Sequence, residues 1–466
     1  MADLSSFEKI HFIAIGGIGM SALAKVLLAQ GYDVRGSDNN PSAITEQLQE
    51  MGAKVFIGHK AEQIGDAQLV VVSSAIKYEN EELQRAEELN LPIWHRSEML
   101  GALIREKKSI AISGTHGKTT TSFLLTSILK KAGFDPAALL GGELDLIGGN
   151  AIWGKGDYLV AEADESDGSF LNLPSQYAII TNIEEDHLDY YEDLNQIENT
   201  FVEFLNNLPS DGHAFLGLDS EIIRKILPRL TCSYTTYGLV ADAKIRAEKI
   251  KWHPQGSTWQ LYQDQEFLAE FELSLLGEYN LQNALGALAC SLHLGLDLEQ
   301  LKLGLSDYVQ GKRRYEYIDT IAGIKFVEDY AHHPTEVKNL IQAALAEEKK
   351  RLIIVFQPHL YSRTLFFRDA FGQSFKDADL VVLIGIFPSR ERMPDPEVRS
   401  SILVDAIKKF DSEREVVYIE DKKELVEKLP PLLREGDLVI FTGAGDINQY
   451  GREVVDLLAY KRGLKN

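Results

Sequence analysis

Residues 114–121 read GTHGKTTT and lie between an apolar run, SIAIS (109–113), and a helical pattern that Gly133 ends. Glycines let a loop turn its backbone N–H groups inward, and the helix that follows adds the positive end of its dipole. Together these make a cradle for a phosphate chain. Lys118 would reach the β- and γ-phosphates there, and the Thr119 hydroxyl would meet Mg2+. Position 112 is Ile, so the spacing is a short G-T-x-G-K-T type rather than GxxxxGK[ST]. Gly114, Thr115, His116, Gly117, Lys118, Thr119 and Thr120 are the expected ATP loop.

Two acidic runs follow apolar strand patterns. EADESD (162–167) ends the run DYLVAEA, and TNIEEDHLD (181–189) ends YAIITNI. Ligands of α/β folds gather at such strand ends, and magnesium takes oxygen donors. Strand alternation puts Glu162 and Asp164 on one face, so either could reach a metal. Thr181, Asn182, Asp186 and His187 stand at the end of the next strand.

A second glycine cluster, GGIGMSA (16–22), follows the strand pattern KIHFIAI. Gly16, Gly17, Ile18, Gly19, Met20 and Ser21 would bring a pyrophosphate to a helix N-terminus, and Asp38 would take ribose hydroxyls. Ser73 and Ser74 close the strand-like run LVVVSSAI and complete this set. NAD or UDP meets the requirement equally well. Near the other end of the chain, EDYAHHPTEV (328–337) and QPHLYSRT (357–364) group His332, His333, His359 and Arg363, polar groups suited to an anionic or amino-acid substrate. GKRRYE (311–316) places Arg313 and Arg314 at the start of this third segment, and GAGDI (443–447) reads as a structural turn.

These motifs need scaffolds. The first hundred residues alternate strand and helix patterns in a βαβ rhythm, which predicts a parallel sheet with right-handed crossovers. The stretch WHRSEMLGALIREKK (94–108) reads as a charged lead-out. Residues 230–275 alternate in β fashion, which predicts an added antiparallel sheet on the central unit. A third αβ series begins near residue 312 with five strand-like runs. The fold class is therefore α/β in three domains. Residues 1–105 form a Rossmann-like unit, 106–311 a central phosphate-loop unit and 312–466 a second Rossmann-like unit.

Composition narrows the partners. The 466 residues carry 48 Lys+Arg against 70 Asp+Glu, a net charge of −22, which speaks against a protein that coats nucleic acid. No apolar stretch of about 20 residues is present, so no membrane insertion is expected. MADLSSFEKI lacks the pattern of a secretory signal, and Cys232 and Cys290 are too few and too far apart for a disulfide framework. A cytoplasmic protein, monomeric or a weak homodimer, is expected.

With its motifs assembled, the chain resembles the Mur ligase family. HFIAIGGIGMSALA, GSD, GTHGKTTT, EADESDGSFL, TNIEEDHLD, EDYAHHPTEV, QPHLYSRT and GAGDI match its pattern in order over nearly the whole length. The phosphate loop alone would also fit folylpolyglutamate synthetase. GGIGMSA, AHHPTEV and QPHLYSRT narrow the likeness to the alanine-adding member. The resemblance implies ATP-dependent addition of L-alanine to the lactyl carboxylate of UDP-N-acetylmuramate through an acyl phosphate, in peptidoglycan biosynthesis, with Mg2+. It implies UDP in the first domain, ATP in the second, and a third that supplies the amino-acid side. By the same resemblance Lys118 binds phosphate, and Thr119, Glu162 and His187 hold the metal. Asn280 and Asn283 meet the purine, Arg314 and Asp329 lie near the nucleotide, and His332, His333, His359 and Arg363 face substrate, His332 and Asp329 among the catalytic groups. The chain departs from the family at Tyr279, where His is usual, and at Leu360, often basic or polar. A nicotinamide-dependent dehydrogenase would leave GTHGKTTT unexplained, a nucleotide switch would leave the first and third segments idle, and a tripeptide-recycling relative is the nearest rival.

Overall fold

Short apolar runs with β-branched residues become strands in three sheets of a computed structural model. The structure describes residues 4–73, 75–187, 190–306, 308, 311–389, 391–394 and 396–461. Ser74, expected at the UDP site, lies outside the described residues.

The N-terminal sheet holds β1 (Lys9–Ile13), β2 (Asp33–Asp38), β3 (Lys54–Ile57), β4 (Leu69–Val72) and β5 (Ile93–His95), in the order β3-β2-β1-β4-β5. All neighbours are parallel. Helices cover both faces of such a sheet, which is why β4 can read LVVV without alternation. Its helices are α1 (Ile18–Ala29), α2 (Ala43–Glu50), α3 (Glu81–Glu88) and α4 (Arg96–Ile104). The expected lead-out at 94–108 is instead ordered structure. His95 ends β5 and caps α4, where Glu98 returns to the His95 N–H at 2.7 Å in a capping box. Charge in that stretch masked a helix whose Met99, Leu103 and Ile104 are buried.

The central sheet contains β6 (Lys108–Ser113), β7 (Ala137–Leu144), β8 (Gly149–Ile152), β9 (Tyr158–Glu162), β10 (Tyr177–Ile180), β11 (His213–Gly217), β12 (Tyr234–Gly238), β13 (Ile245–His253), β14 (Gly256–Gln263) and β15 (Glu266–Leu273). Their order is β15-β14-β13-β12-β11-β10-β6-β9-β7-β8. The alternating segment thus extends this one sheet rather than forming a second layer. β12 meets β13 in parallel, and short turns then fold β13 to β15 as an antiparallel meander. β6, which leads into the phosphate loop, is flanked by β9 and β10, so both acidic runs end beside that loop. After it comes α5 (Lys118–Lys131), packed so closely on the helix Leu298–Ser306 that a Cβ on Gly304 would stand 2.6 Å from the Ile128 Cα.

The C-terminal sheet is β16 (Glu316–Ile321), β17 (Ile324–Asp329), β18 (Arg351–Phe356), β19 (Leu380–Ile384), β20 (Glu415–Ile419) and β21 (Asp437–Thr442), ordered β16-β17-β21-β18-β19-β20. The last five are the predicted runs and are parallel. β16 is an additional antiparallel edge strand that sequence reading left out.

The chain divides into two compact units. One comprises Met1–Ile250, Thr258–Leu273 and Gln282–Val309; the other comprises Lys251–Ser257, Ser274–Leu281 and Gln310–Asn466. Within the first, α1 packs against β7 and β8. Lys25, buried on α1, donates to Asn150 Oδ1 and Gln47 Oε1, each at 2.7 Å. Asn150 Nδ2 donates to the Ile18 carbonyl at 2.8 Å, which ties the start of α1 to β8.

Candidate active site

The phosphate loop is shaped by two glycines that no other residue could replace. Gly114 (φ +128°) and Gly117 (φ +83°) take left-handed conformations, and an added Cβ would stand 2.3 Å from Thr181 Oγ1 and 2.2 Å from Asn283 Oδ1. The segment after β10 clamps the loop. Thr115 N–H donates to the Asn182 carbonyl (3.1 Å), His116 N–H to Asn182 Oδ1 (2.9 Å), and Asn182 Nδ2 to the His116 carbonyl (3.0 Å). Thr119 and Thr120 are buried in the first turn of α5. Asn283, expected at the purine, lies over this loop.

Lys118 Nζ donates to the Gly114 carbonyl at 2.6 Å and to both Glu165 oxygens, at 2.8 and 2.9 Å. Burial opposes its charge, but the carboxylates of Glu165, Asp164 and Glu162 outweigh burial and hold its pKa above the ordinary lysine value. Glu162 Oε1 accepts from Gly141 N–H (2.7 Å) and Ser122 Oγ (2.9 Å), and Oε2 from Thr119 Oγ1 (3.1 Å). The Thr119 hydroxyl and the Glu162 carboxylate therefore converge as hard oxygen donors beside the lysine, a set that suits magnesium.

His187 follows β10 in a left-handed conformation (φ +56°), costly for a residue with a side chain and typical of functional positions. Its Nε2 lies 3.4 Å from Glu165 Oε1 and 3.7 Å from Asp186 Oδ2. Burial lowers its pKa, yet the Glu165 hydrogen bond and the two carboxylates raise it on balance. Glu165 thus joins Lys118 to His187, and sequence reading gave it no role. Asp164, which strand alternation left open as a metal ligand, instead binds Arg96 Nη2 at 2.8 Å. Against the cost of partial desolvation, the charges of Arg96 and Lys118 keep its half-exposed carboxyl well below the usual range.

At the first glycine cluster, Asp38 Oδ2 accepts the Gly16 N–H at 2.9 Å, so it braces the loop as well as facing it. Ile18 and Gly19 are exposed, whereas Met20 and Ser21 bury their side chains and can offer a ligand only backbone. Gly17 caps α1, and Ser73 follows β4 at the same carboxyl edge of the sheet.

In the second unit, Asn280 Nδ2 donates to the Leu276 carbonyl at 2.8 Å. Burial foremost, then the Asp329 charge, pushes the neighbouring Tyr279 hydroxyl up. Arg313 and Arg314 hold their guanidinium carbons 5.0 and 5.1 Å from the Tyr330 ring centre. Arg313 also donates to the carbonyls of Gly443 (2.7 Å) and Gly445 (2.9 Å), the structural use expected of GAGDI. Asp329 accepts from the N–H groups of Tyr315 and Ala331, both at 2.7 Å, and burial raises its pKa against the pull of Arg314. Three of the four substrate-side candidates come together: the His332 and His359 rings are 5.6 Å apart, and Arg363 Nη1 is 3.1 Å from His359 Nδ1. Buried His333 caps the helix Pro334–Leu345 through its Nδ1 and lies edge-on to Phe367. Leu360 is buried, and no charge from it reaches the cluster.

Family models for the Mur ligase catalytic domain, the Mur ligase middle domain and the Mur ligase glutamate ligase domain match residues 9–108, 112–291 and 313–445. Curated relatives include a UDP-N-acetylmuramate–L-alanine ligase of Geotalea daltonii, 42% identical over 97% of this chain and 98% of its own length. Another, of Desulforamulus reducens, is 42% identical with the same coverage. The crystal structure of UDP-N-acetylmuramate-alanine ligase MurC from Thermotoga maritima superposes with a TM-score of 0.82 at 30% identity, covering 98% of this chain and 99% of that one. With its phosphate loop, its paired acidic strand ends and this full-length likeness, the chain belongs to the Mur ligase family.

Proposed function

We propose that this chain joins L-alanine to the lactyl carboxylate of UDP-N-acetylmuramate, with ATP converted to ADP and phosphate, in peptidoglycan synthesis. Full-length relatives of that activity support the reading. The observation that carries it is the convergence of Lys118, Thr119, Glu162 and His187 on one phosphate loop. Residues 1–105 serve the UDP-sugar, 106–311 ATP, and 312–466 the amino acid.

A carboxylate at neutral pH is a poor acylating agent and must be activated. Its oxygen attacks the γ-phosphorus in line, the bond to the β-phosphate oxygen breaks, and ADP leaves an acyl phosphate. Lys118 neutralises charge that spreads over the transferring group. Thr119, Glu162 and His187 would hold Mg2+, which supplies further neutralisation of the phosphate charge when bound. The neutral amine of alanine then attacks the acyl carbon, the carbon–oxygen bond to phosphate breaks as the tetrahedral intermediate collapses, and the proton lost by the nitrogen leaves with the phosphate. Asp329 lies near the nucleotide and His332 on the amino-acid side, where its Nδ1 is 3.4 Å from Glu336 Oε2.

No helix among the described residues is long and apolar enough to cross a membrane. We propose a cytoplasmic monomer or weak homodimer as the working form. A coupled ADP-release assay with UDP-N-acetylmuramate against alanine, glycine, serine and the L-Ala-γ-D-Glu-meso-diaminopimelate tripeptide tests the reading. Turnover greatest with alanine is expected; turnover with the tripeptide alone would reassign the chain to recycling.

A further inference from the structure

Arg96 opens α4 at the carboxyl edge of the N-terminal sheet, just after β5. Its two terminal nitrogens face different ways. Nη2 donates to Asp164 Oδ2 at 2.8 Å, and Nη1 lies 3.2 Å from the place a Gly19 Cβ would occupy. Gly19 is exposed in the first turn of α1, where backbone N–H groups have no intrahelical partner. Asp164 is itself fixed, since its Oδ1 accepts the Ser166 N–H at 3.1 Å. Its chain neighbour Glu165 grips Lys118 Nζ at 2.8 and 2.9 Å. Adjacent carboxylates thus hold the guanidinium beside the first glycine loop and the lysine of the second.

A diphosphate approaching a chain of net charge −22 needs local cations as well as a helix end. Guanidinium groups suit phosphate because their planar donors match its oxygens. The missing side chain at Gly19 is what leaves Nη1 facing the loop, since a methyl there would press on it. We propose that Arg96 receives the diphosphate of the UDP-sugar over the Gly19 turn, and that Asp164 positions Arg96 from the residue beside Glu165, the partner of Lys118, coupling the two nucleotide sites. The proposal rests on the alanine-ligase reading for the identity of the UDP-sugar.

Calorimetric titration of the full chain tests it, with UDP and with UDP-N-acetylmuramate, each with and without Mg2+ and a non-hydrolysable ATP analogue. Arg96→Gln should weaken both uridine ligands roughly tenfold or more and change affinity for the analogue alone by much less. Arg96→Lys should recover part of the loss. Weakening confined to UDP-N-acetylmuramate would overturn the diphosphate assignment, because UDP lacks the lactyl carboxylate. Unchanged UDP affinity in a variant that melts like the wild type would overturn it as well. In the wild type the analogue should change UDP affinity, and Asp164→Asn should bring that factor close to one; equal factors in both proteins would overturn the coupling. Gly19→Ala, which leaves the charges intact, should also weaken UDP, and a variant that binds UDP as the wild type does would count against the Arg96 contact. Wild-type chain that binds UDP but releases no ADP with UDP-N-acetylmuramate and alanine would refute the ligase reading instead.

Discussion

Glu165 grips Lys118 with both carboxylate oxygens, 2.8 and 2.9 Å from Nζ, so the lysine is aimed along the phosphate loop before a phosphate arrives. Lys118→Ala removes the cation proposed to meet the transferring group. By the usual value of one such donor, kcat should fall by about 100–1000-fold or more. Steady-state ADP release at saturating ATP checks this, and wild-type turnover would remove the lysine from the mechanism.

Glu165→Gln keeps the shape of the side chain but not the charge that holds Lys118 and faces His187. Groups that orient a catalytic residue commonly matter by about 10–100-fold, and a loss of that order in kcat is expected. The KM for ATP should change less. The reverse pattern, a large KM effect at normal kcat, would mean Glu165 acts on binding alone.

His213 gives the fold a pH dependence. Its ring stacks on His293 at 4.3 Å and meets Thr235 Oγ1 at 2.9 Å. Burial first, then the charges of His293 and Lys244, lowers its pKa from 6.5 to about 4. Between those values the unfolded chain binds the extra proton, so stability rises with pH across that window and is lost as pH falls from 6.5 toward 4. Thermal melts over this range should show the slope, and His213→Asn should flatten it. Parallel curves for the two proteins would exclude His213 as the source.

Glu82 is fully buried and accepts from Ser37 Oγ while meeting His11 Nε2 at 2.9 Å and His59 Nδ1 at 3.0 Å. Glu82→Ala strips buried Ser37 and His11 and half-buried His59 of one shared partner. Breaking a buried pair of this kind costs about 3–5 kcal/mol. Urea unfolding should report it, and a loss below about 1 kcal/mol would show that the site relaxes or admits water.

Gly304→Ala tests the helix crossing beneath the phosphate loop. The new methyl would stand 2.6 Å from the Ile128 Cα, a backbone atom that no side-chain rotation can move. Overpacking should cost about 1–3 kcal/mol and lower the melting temperature. Ile128→Ala should not restore it.

Residues whose placement depends on neighbours in sequence were readable. GTHGKTTT fixes a strand, a loop and a helix within a few residues, so Gly114, Lys118 and Thr119 stand where local chemistry predicted. Alternation also aimed Glu162 at the loop, because that residue is still in β9. It left Asp164 open and gave Glu165 no role, since both lie past the strand end where the turn sets direction. Arg96 was missed because its partner Asp164 is distant in sequence and its own stretch reads as charge rather than as a helix start. β16 was missed for a related reason: an exposed edge strand such as EYIDTI lacks the apolar run of its buried neighbours.

The tie from Lys25 through Asn150 to the Ile18 carbonyl joins the helix of the first glycine loop to the sheet that carries the second. Both loops belong to one compact unit, so the gap between their ligands is set when the chain folds. On the proposed reading, an inhibitor that carries one anionic group for each loop should therefore reward a stiff linker of a single length, with affinity dropping on either side of it.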